Sequence, residues 1–99
     1  MLYSIVGTDV TNSLEARMAA RPAHVERLVD LKSQGRLILA GPNPAIDSSD
    51  PGAAGFSGSI IIAEFASLDE AEQWAGQDPY TLTGVYDHVS VKPFNKALP

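Results

Sequence analysis

Ninety-nine residues with a hydrophobic fraction of 44% make a chain the size of one small folded domain, residues 1–99. Lys and Arg number 7 against 12 Asp and Glu, a net charge of -5, and the few cations form no cluster; nucleic-acid binding and adhesion to an anionic membrane are excluded. The absence of cysteine removes disulfides, thiolate nucleophiles and Cys-based metal sites, and no stretch approaches the roughly 20 apolar residues of a membrane helix.

Leu2 to Val6 reads as a first strand ending at Gly7. The segment carries no basic leader and too short an apolar run for a signal sequence, so a cytoplasmic location is expected. A helix follows, with Asn12 and Glu15 spaced as a capping box. Pro22 either kinks this helix or opens a second one at its first turn. Val25, Leu28 and Leu31 form an apolar stripe, with Glu26, Arg27, Asp30 and Gln34 opposite, and Gly35 supplies a C-terminal stop. Arg36 to Ala40 is the second strand, ending at Gly41-Pro42. Asn43 to Gly58 is a loop rich in Pro, Gly, Ser and Asp. Ser59 to Phe65 is the third strand. Ser67 and Glu70 repeat the capping-box spacing and open a helix through Ala71, Trp74 and Ala75, stopped near Gly76. Val85 to Val91 is the fourth strand, closed by Pro93.

The order β-α-β-β-α-β predicts an α+β, ferredoxin-like fold: an antiparallel sheet with both helices on one face. Ile60, Ile61 and Ile62 are consecutive, so apolar side chains point to both faces of the third strand. Two helices cover one face, and a second copy of the same sheet is the economical cover for the other. A homodimer is therefore expected.

His24 stands at the edge of the apolar stripe, with Arg21 one turn earlier on the same side. A polar group there needs a partner or a function. Its position fits a structural histidine, and it fits a general base; a helix start at Pro22 would put it in the first turn, where the dipole favours the neutral ring. Asp78 precedes Pro79 and is pushed to an extended backbone, from which its carboxylate either orders its own turn or binds an imidazole nitrogen. In the fourth strand, alternation puts Val85, Asp87, Val89 and Val91 on one face and Tyr86, His88 and Ser90 on the other. His88 would line either the site or the dimer interface. Two histidines and scattered carboxylates have no metal-site spacing. Gly55-Phe56-Ser57-Gly58 is not a nucleophile elbow, because the Ser is followed at once by Gly and a strand, and no Lys makes the loop a phosphate cradle.

Five segments, Arg21-Pro22-Ala23-His24, Ala40-Gly41-Pro42-Asn43-Pro44, Asp50 to Ser59, Asp78-Pro79-Tyr80 and Tyr86 to Phe94, occur in an order and at separations that strongly resemble the YciI-like family. The resemblance runs from Met1 to Phe94. It implies a dimeric α/β barrel of ferredoxin-like units and a His–Asp pair in a pocket, which falls here on His24 and Asp78. Arg21, Gly41, Pro42, Tyr80 and His88 are the candidate substrate contacts around that pair. The expected function is cofactor-independent proton transfer on a small molecule, of isomerase, lyase or dehydrochlorinase type. The alternative is a non-catalytic dimer that binds a small ligand, with the pair as a structural element.

Overall fold

The computed structural model describes residues 1–99. β1 (Leu2–Asp9) and β3 (Phe56–Glu64) are the two central strands of a four-stranded antiparallel sheet ordered β2-β3-β1-β4, with β2 (Leu37–Pro44) and β4 (Tyr86–Phe94) at the edges. With α1 (Leu14–Ser33), α2 (Leu68–Gly76) and a single-turn α3 (Pro79–Leu82), the order is the expected ferredoxin-like βαββαβ with a short extra helix. Edge placement explains how β2 runs four residues beyond Ala40 and β4 three beyond Val91, through Pro42, Pro44 and Pro93. A proline on an edge strand need not donate to a ladder. β3 likewise starts three residues early, at Phe56, and the loop before it holds one 3-10 turn at Gly52–Ala54.

The register separates the faces. Ile5 on β1 lies opposite Ile61 on β3 and Val91 on β4, and this row meets Leu31 of α1 and Ala71 and Ala75 of α2 in the main core. Phe65, Ile61 and Val85 are sealed, each contributing about 2–3 kcal/mol of burial at most. The opposite face carries Val6, Ile60 and Phe94, each more than a third exposed, with Ile62 half-buried beside them. The three consecutive isoleucines thus do serve both faces, and no helix of this chain covers the second one.

α1 is one helix, not two. Pro22 sits in its exposed middle, where the lost N–H costs on the order of 3 kcal/mol in an isolated helix. Buried Arg17, Ala20 and His24 on either side of the proline tie the helix to the rest of the fold and offset that cost. The start of α1 also differs from the expected capping box. Asn12 adopts a left-handed backbone with φ 59°, which makes Ser13 the N-cap, and the Ser13 hydroxyl donates to Asp9 Oδ2 at 2.6 Å instead of capping an amide. The end behaves as expected. Gly35, at φ 71°, lets its own amide donate to Lys32 and that of Arg36 to Leu31, the paired bonds of a Schellman motif. At α2 the Ser67 hydroxyl accepts from the Glu70 amide at 3.1 Å, and Glu70 accepts from the Ala66 amide at 3.0 Å. That cap was legible. Gly76 is the last residue of α2 rather than a left-handed stop beyond it, and Gln77 caps the end.

Two side chains lie where simple alternation did not place them. The β1–β4 ladder shifts register after Thr8: Thr8 faces His88, yet Asp9 faces Tyr86. The extra residue, Asp87, is a bulge that reverses the alternation, so Tyr86 turns to the helix side while His88 stays on the open face. The Tyr86 ring covers Gly7, where an added Cβ would meet ring carbons at 2.5 Å. Arg27, expected on the solvated side of α1, instead lies over the Trp74 ring at 4.3 Å and donates to the Trp74 carbonyl at 2.9 Å. Burial there lowers its guanidinium pKa, and the Asp78 carboxylate opposes the shift. Its Nη1 has no hydrogen-bond partner.

Candidate active site

The site is built on one stripe of α1. Arg17, Arg21, His24, Leu28 and Leu31 recur at three- and four-residue spacing and so share a face that points at the sheet. His24 lies mid-helix, well past the first turn, which removes the helix dipole as an influence on its charge. Burial and partners decide its chemistry instead.

Asp78 is the link between α2 and α3. Its backbone is extended, at φ -59° and ψ 132°, as the following proline requires. Both of the roles weighed for its carboxylate are present at once. Oδ1 accepts from the Tyr80 amide at 2.9 Å and caps α3, while His24 Nδ1 lies 2.8 Å from the same oxygen and 3.0 Å from Oδ2. Both residues are buried, at 7% and 2% exposure. A carboxylate only accepts, so Nδ1 carries the proton and the Nε2 lone pair of the neutral ring is free. Nε2 has no protein partner and is not sealed off; His24 lines a cavity. Tyr80 stacks on the imidazole with centroids 3.9 Å apart and planes 11° apart, fixing the ring plane as Asp78 fixes its rotation. Tyr86 meets Tyr80 edge-on at 5.6 Å, and Ala20 and Val85 complete this small core beneath the site.

A second polar cluster, which sequence reasoning missed, lies beside the first. Arg17 is 5% exposed, and its Nε and Nη2 are both engaged. Nε and Nη2 pair with the two oxygens of Asp9, and Nη2 also reaches the Gly58 carbonyl at 2.8 Å and the Ser59 hydroxyl. The guanidinium lies over the Tyr80 ring at 4.7 Å, on a tyrosine that also stacks on His24. Arg17 could have been found: it stands seven residues before His24, two turns earlier on the same stripe. Ser59 and Asp9 left no such signal, because only strand register brings them there.

The cavity holds about 290 Å³. Arg17, Arg21, His24, Tyr80 and Ser59 give it a polar end; Val25, Leu28, Leu37, Ala40, Pro42 and Ile61 give it an apolar wall, with Gly41 beside Pro42 on β2. Of the expected contacts, Arg21, Gly41, Pro42 and Tyr80 meet His24 here. His88 does not: it is exposed on the opposite face of the sheet, across from Thr8. Burial raises the Tyr80 phenol pKa against the opposing pull of Arg17 and Arg21. Burial likewise pushes the Tyr86 phenol up to about 12, with a Ser59 hydrogen bond acting the other way. Both hydroxyls are therefore neutral at physiological pH. No three His, Cys, Asp or Glu side chains converge in the fold as a metal site requires.

The model of the YCII-related domain matches residues 1–95. The chain belongs to this family. It is 60% identical over 98 residues to Protein YciI of Escherichia coli, covering 99% of this chain and 100% of that one, and 52% identical over 98 residues to a Haemophilus influenzae protein at the same coverage. Among solved structures, this YCII-related chain superposes on the 5-chloro-2-hydroxyhydroquinone dehydrochlorinase TftG of Burkholderia phenoliruptrix, determined in complex with 2,5-dihydroxybenzoquinone. The TM-score is 0.84 and the identity 27%, over 96% of this chain and 94% of that one.

Proposed function

We propose that this protein is a cofactor-independent enzyme that moves a proton on a small cyclic molecule, with His24 as the general base and Asp78 as its partner. One observation carries the reading: His24 Nδ1 is held by both oxygens of a buried carboxylate, Nε2 is unpaired, and the residue lines a cavity. That arrangement selects the tautomer whose free nitrogen faces the substrate and stabilises the imidazolium that forms when it accepts a proton. Asp78 orients the His24 ring and lies against the positive charge that the ring acquires.

The likeness to a dehydrochlorinase supports elimination as one outcome of this chemistry. His24 takes a proton from a ring hydroxyl or ring carbon, the electron pair moves into the ring, and chloride or another leaving group departs from a neighbouring carbon. Isomerisation needs the same base and returns the proton at a second carbon. Arg21 and the Tyr80 hydroxyl are the donors available to the oxygen on which negative charge develops. The open sheet face supports a homodimer as the working form, since Val6, Ile60 and Phe94 are otherwise left in water.

The test is a turnover screen of hydroxylated and halogenated hydroquinones and related enols, reading chloride release and ring absorbance. The expected result is turnover of at least one, lost in His24→Ala and Asp78→Asn. Turnover untouched by both substitutions refutes the proposal. A histidine kept only for structure would show itself as a lowered melting temperature in His24→Ala with no activity to lose.

A further inference from the structure

We infer that the His24 cavity selects a single-ring substrate that already bears a negative charge, and that Arg21 reads that charge. The inference rests on the cavity being the functional site. It goes further by setting the size and charge of what enters and by naming the residue that discriminates.

Size follows from volume. A cavity of about 150 Å³ holds benzene, and drug-sized ligands occupy about 300–1,000 Å³. At about 290 Å³ this one takes one ring with a few substituents and little more. Leu28, Leu37 and Ile61 offer that ring an apolar wall facing away from the polar end.

Charge follows from what is left unpaired. No carboxylate is among the residues lining the cavity, whereas two arginines are. Both nearby acids are already engaged, with side chains 1% and 3% exposed: Asp9 by Arg17 and Asp78 by His24. Arg17 is ion-paired to Asp9 and spends Nε and Nη2 on Asp9, Gly58 and Ser59. Arg21 alone has neither an ion pair nor a hydrogen bond, and it stands one turn before His24 on the same face of α1. A chain of net charge -5 thus holds one uncompensated cation at the rim of its polar cavity. An ionised ring oxygen or carboxylate satisfies that guanidinium while leaving the ring against the apolar wall. The anion also lies near His24, so the imidazolium formed during proton transfer faces a negative substrate.

Two matched pairs of probes test this without requiring turnover: benzoate against benzamide, and 2,5-dihydroxybenzoquinone against its dimethyl ether. Calorimetric titration at pH 7.5 and low salt should show each anion binding at least about tenfold tighter than its neutral partner. Arg21→Gln should erase the preference and Arg21→Lys should keep part of it, both with the melting temperature of the parent. Equal affinities within a pair, a preference that survives in Arg21→Gln, or no binding by any of the four probes would each overturn the inference. Turnover of a neutral substrate through His24 would leave the proposed function standing and this inference refuted. An anion preference without any turnover would do the reverse.

Discussion

Replacing Asp78 by asparagine changes one atom and should invert the tautomer of His24. In the native site both carboxylate oxygens face Nδ1, at 2.8 and 3.0 Å, so Nδ1 is the donor and Nε2 is bare. An asparagine of the same shape presents one oxygen and one NH2 group. The oxygen already has a donor in the Tyr80 amide at 2.9 Å, so the amide nitrogen turns to His24 and donates to Nδ1. The ring proton then moves to Nε2, and the free lone pair passes to Nδ1. If His24 is the base proposed above, the precedent of other carboxylate–histidine pairs sets the expected cost in kcat at about 10⁴-fold. The stability cost is smaller, about 1–2 kcal/mol, because one charge-assisted hydrogen bond becomes a neutral one while the α3 cap survives. In a domain this small that lowers Tm by roughly 5–15 °C. Asp78→Ala removes the cap as well and should cost about 1 kcal/mol more. The assay is nitrogen NMR of the His24 imidazole: a bare Nε2 and protonated Nδ1 in the parent, the reverse in Asp78→Asn, beside thermal melts of both. A parent ring protonated at Nε2, or a tautomer unchanged by the substitution, would refute this account of the pair.

Four other outcomes follow from the same geometry. Gly58→Ala places a Cβ against the Gly7 carbonyl oxygen, and Gly7→Ala places one 2.5 Å from the Tyr86 ring. A side chain yields more readily than backbone, so thermal melts should show Gly58→Ala losing more than the ~1–3 kcal/mol expected of Gly7→Ala. Arg17→Met leaves Asp9 buried without its partner and should cost about 3–5 kcal/mol in urea unfolding, with Asp9→Asn recovering part of it in the double variant; additive losses would deny the coupling. Tyr86 has an ordinary value of 10.0 and a folded value of about 12, so between those pH values it is protonated in the folded state only. Unfolding then releases a proton and stability falls as pH rises through this window, by up to about 3 kcal/mol, and Tyr86→Phe should flatten that part of the curve. Ile60→Glu on the open sheet face should convert a dimer to monomer in sedimentation equilibrium, and an unchanged mass would place the interface elsewhere.

The sequence by itself determined whatever depends on neighbours along the chain. Gly35 ends α1 because its left-handed φ is local to that turn, and Ser67 caps α2 because its hydroxyl reaches an amide three residues on. Three consecutive isoleucines must serve two faces whatever they pair with. Asp78 is extended because Pro79 makes it so. The helical spacing that singled out Arg21 and His24 reaches back equally to Arg17, which was within sight of the same reasoning. Tertiary structure decided what depends on partners distant in sequence. The bulge at Asp87 exists only in the ladder with β1, and it alone turns Tyr86 inward while leaving His88 on the open face. Asp9, Ser59 and Gly58 converge on Arg17 because β1 and β3 adopt one register out of several that their compositions permit. Pro22 looked like an interruption, and packing on either side of it carried α1 through. The contact between His24 and Asp78 spans 54 residues of chain. Local chemistry made each of them eligible; only the docking of α3 against α1 brought a carboxylate to an imidazole on the wall of the cavity.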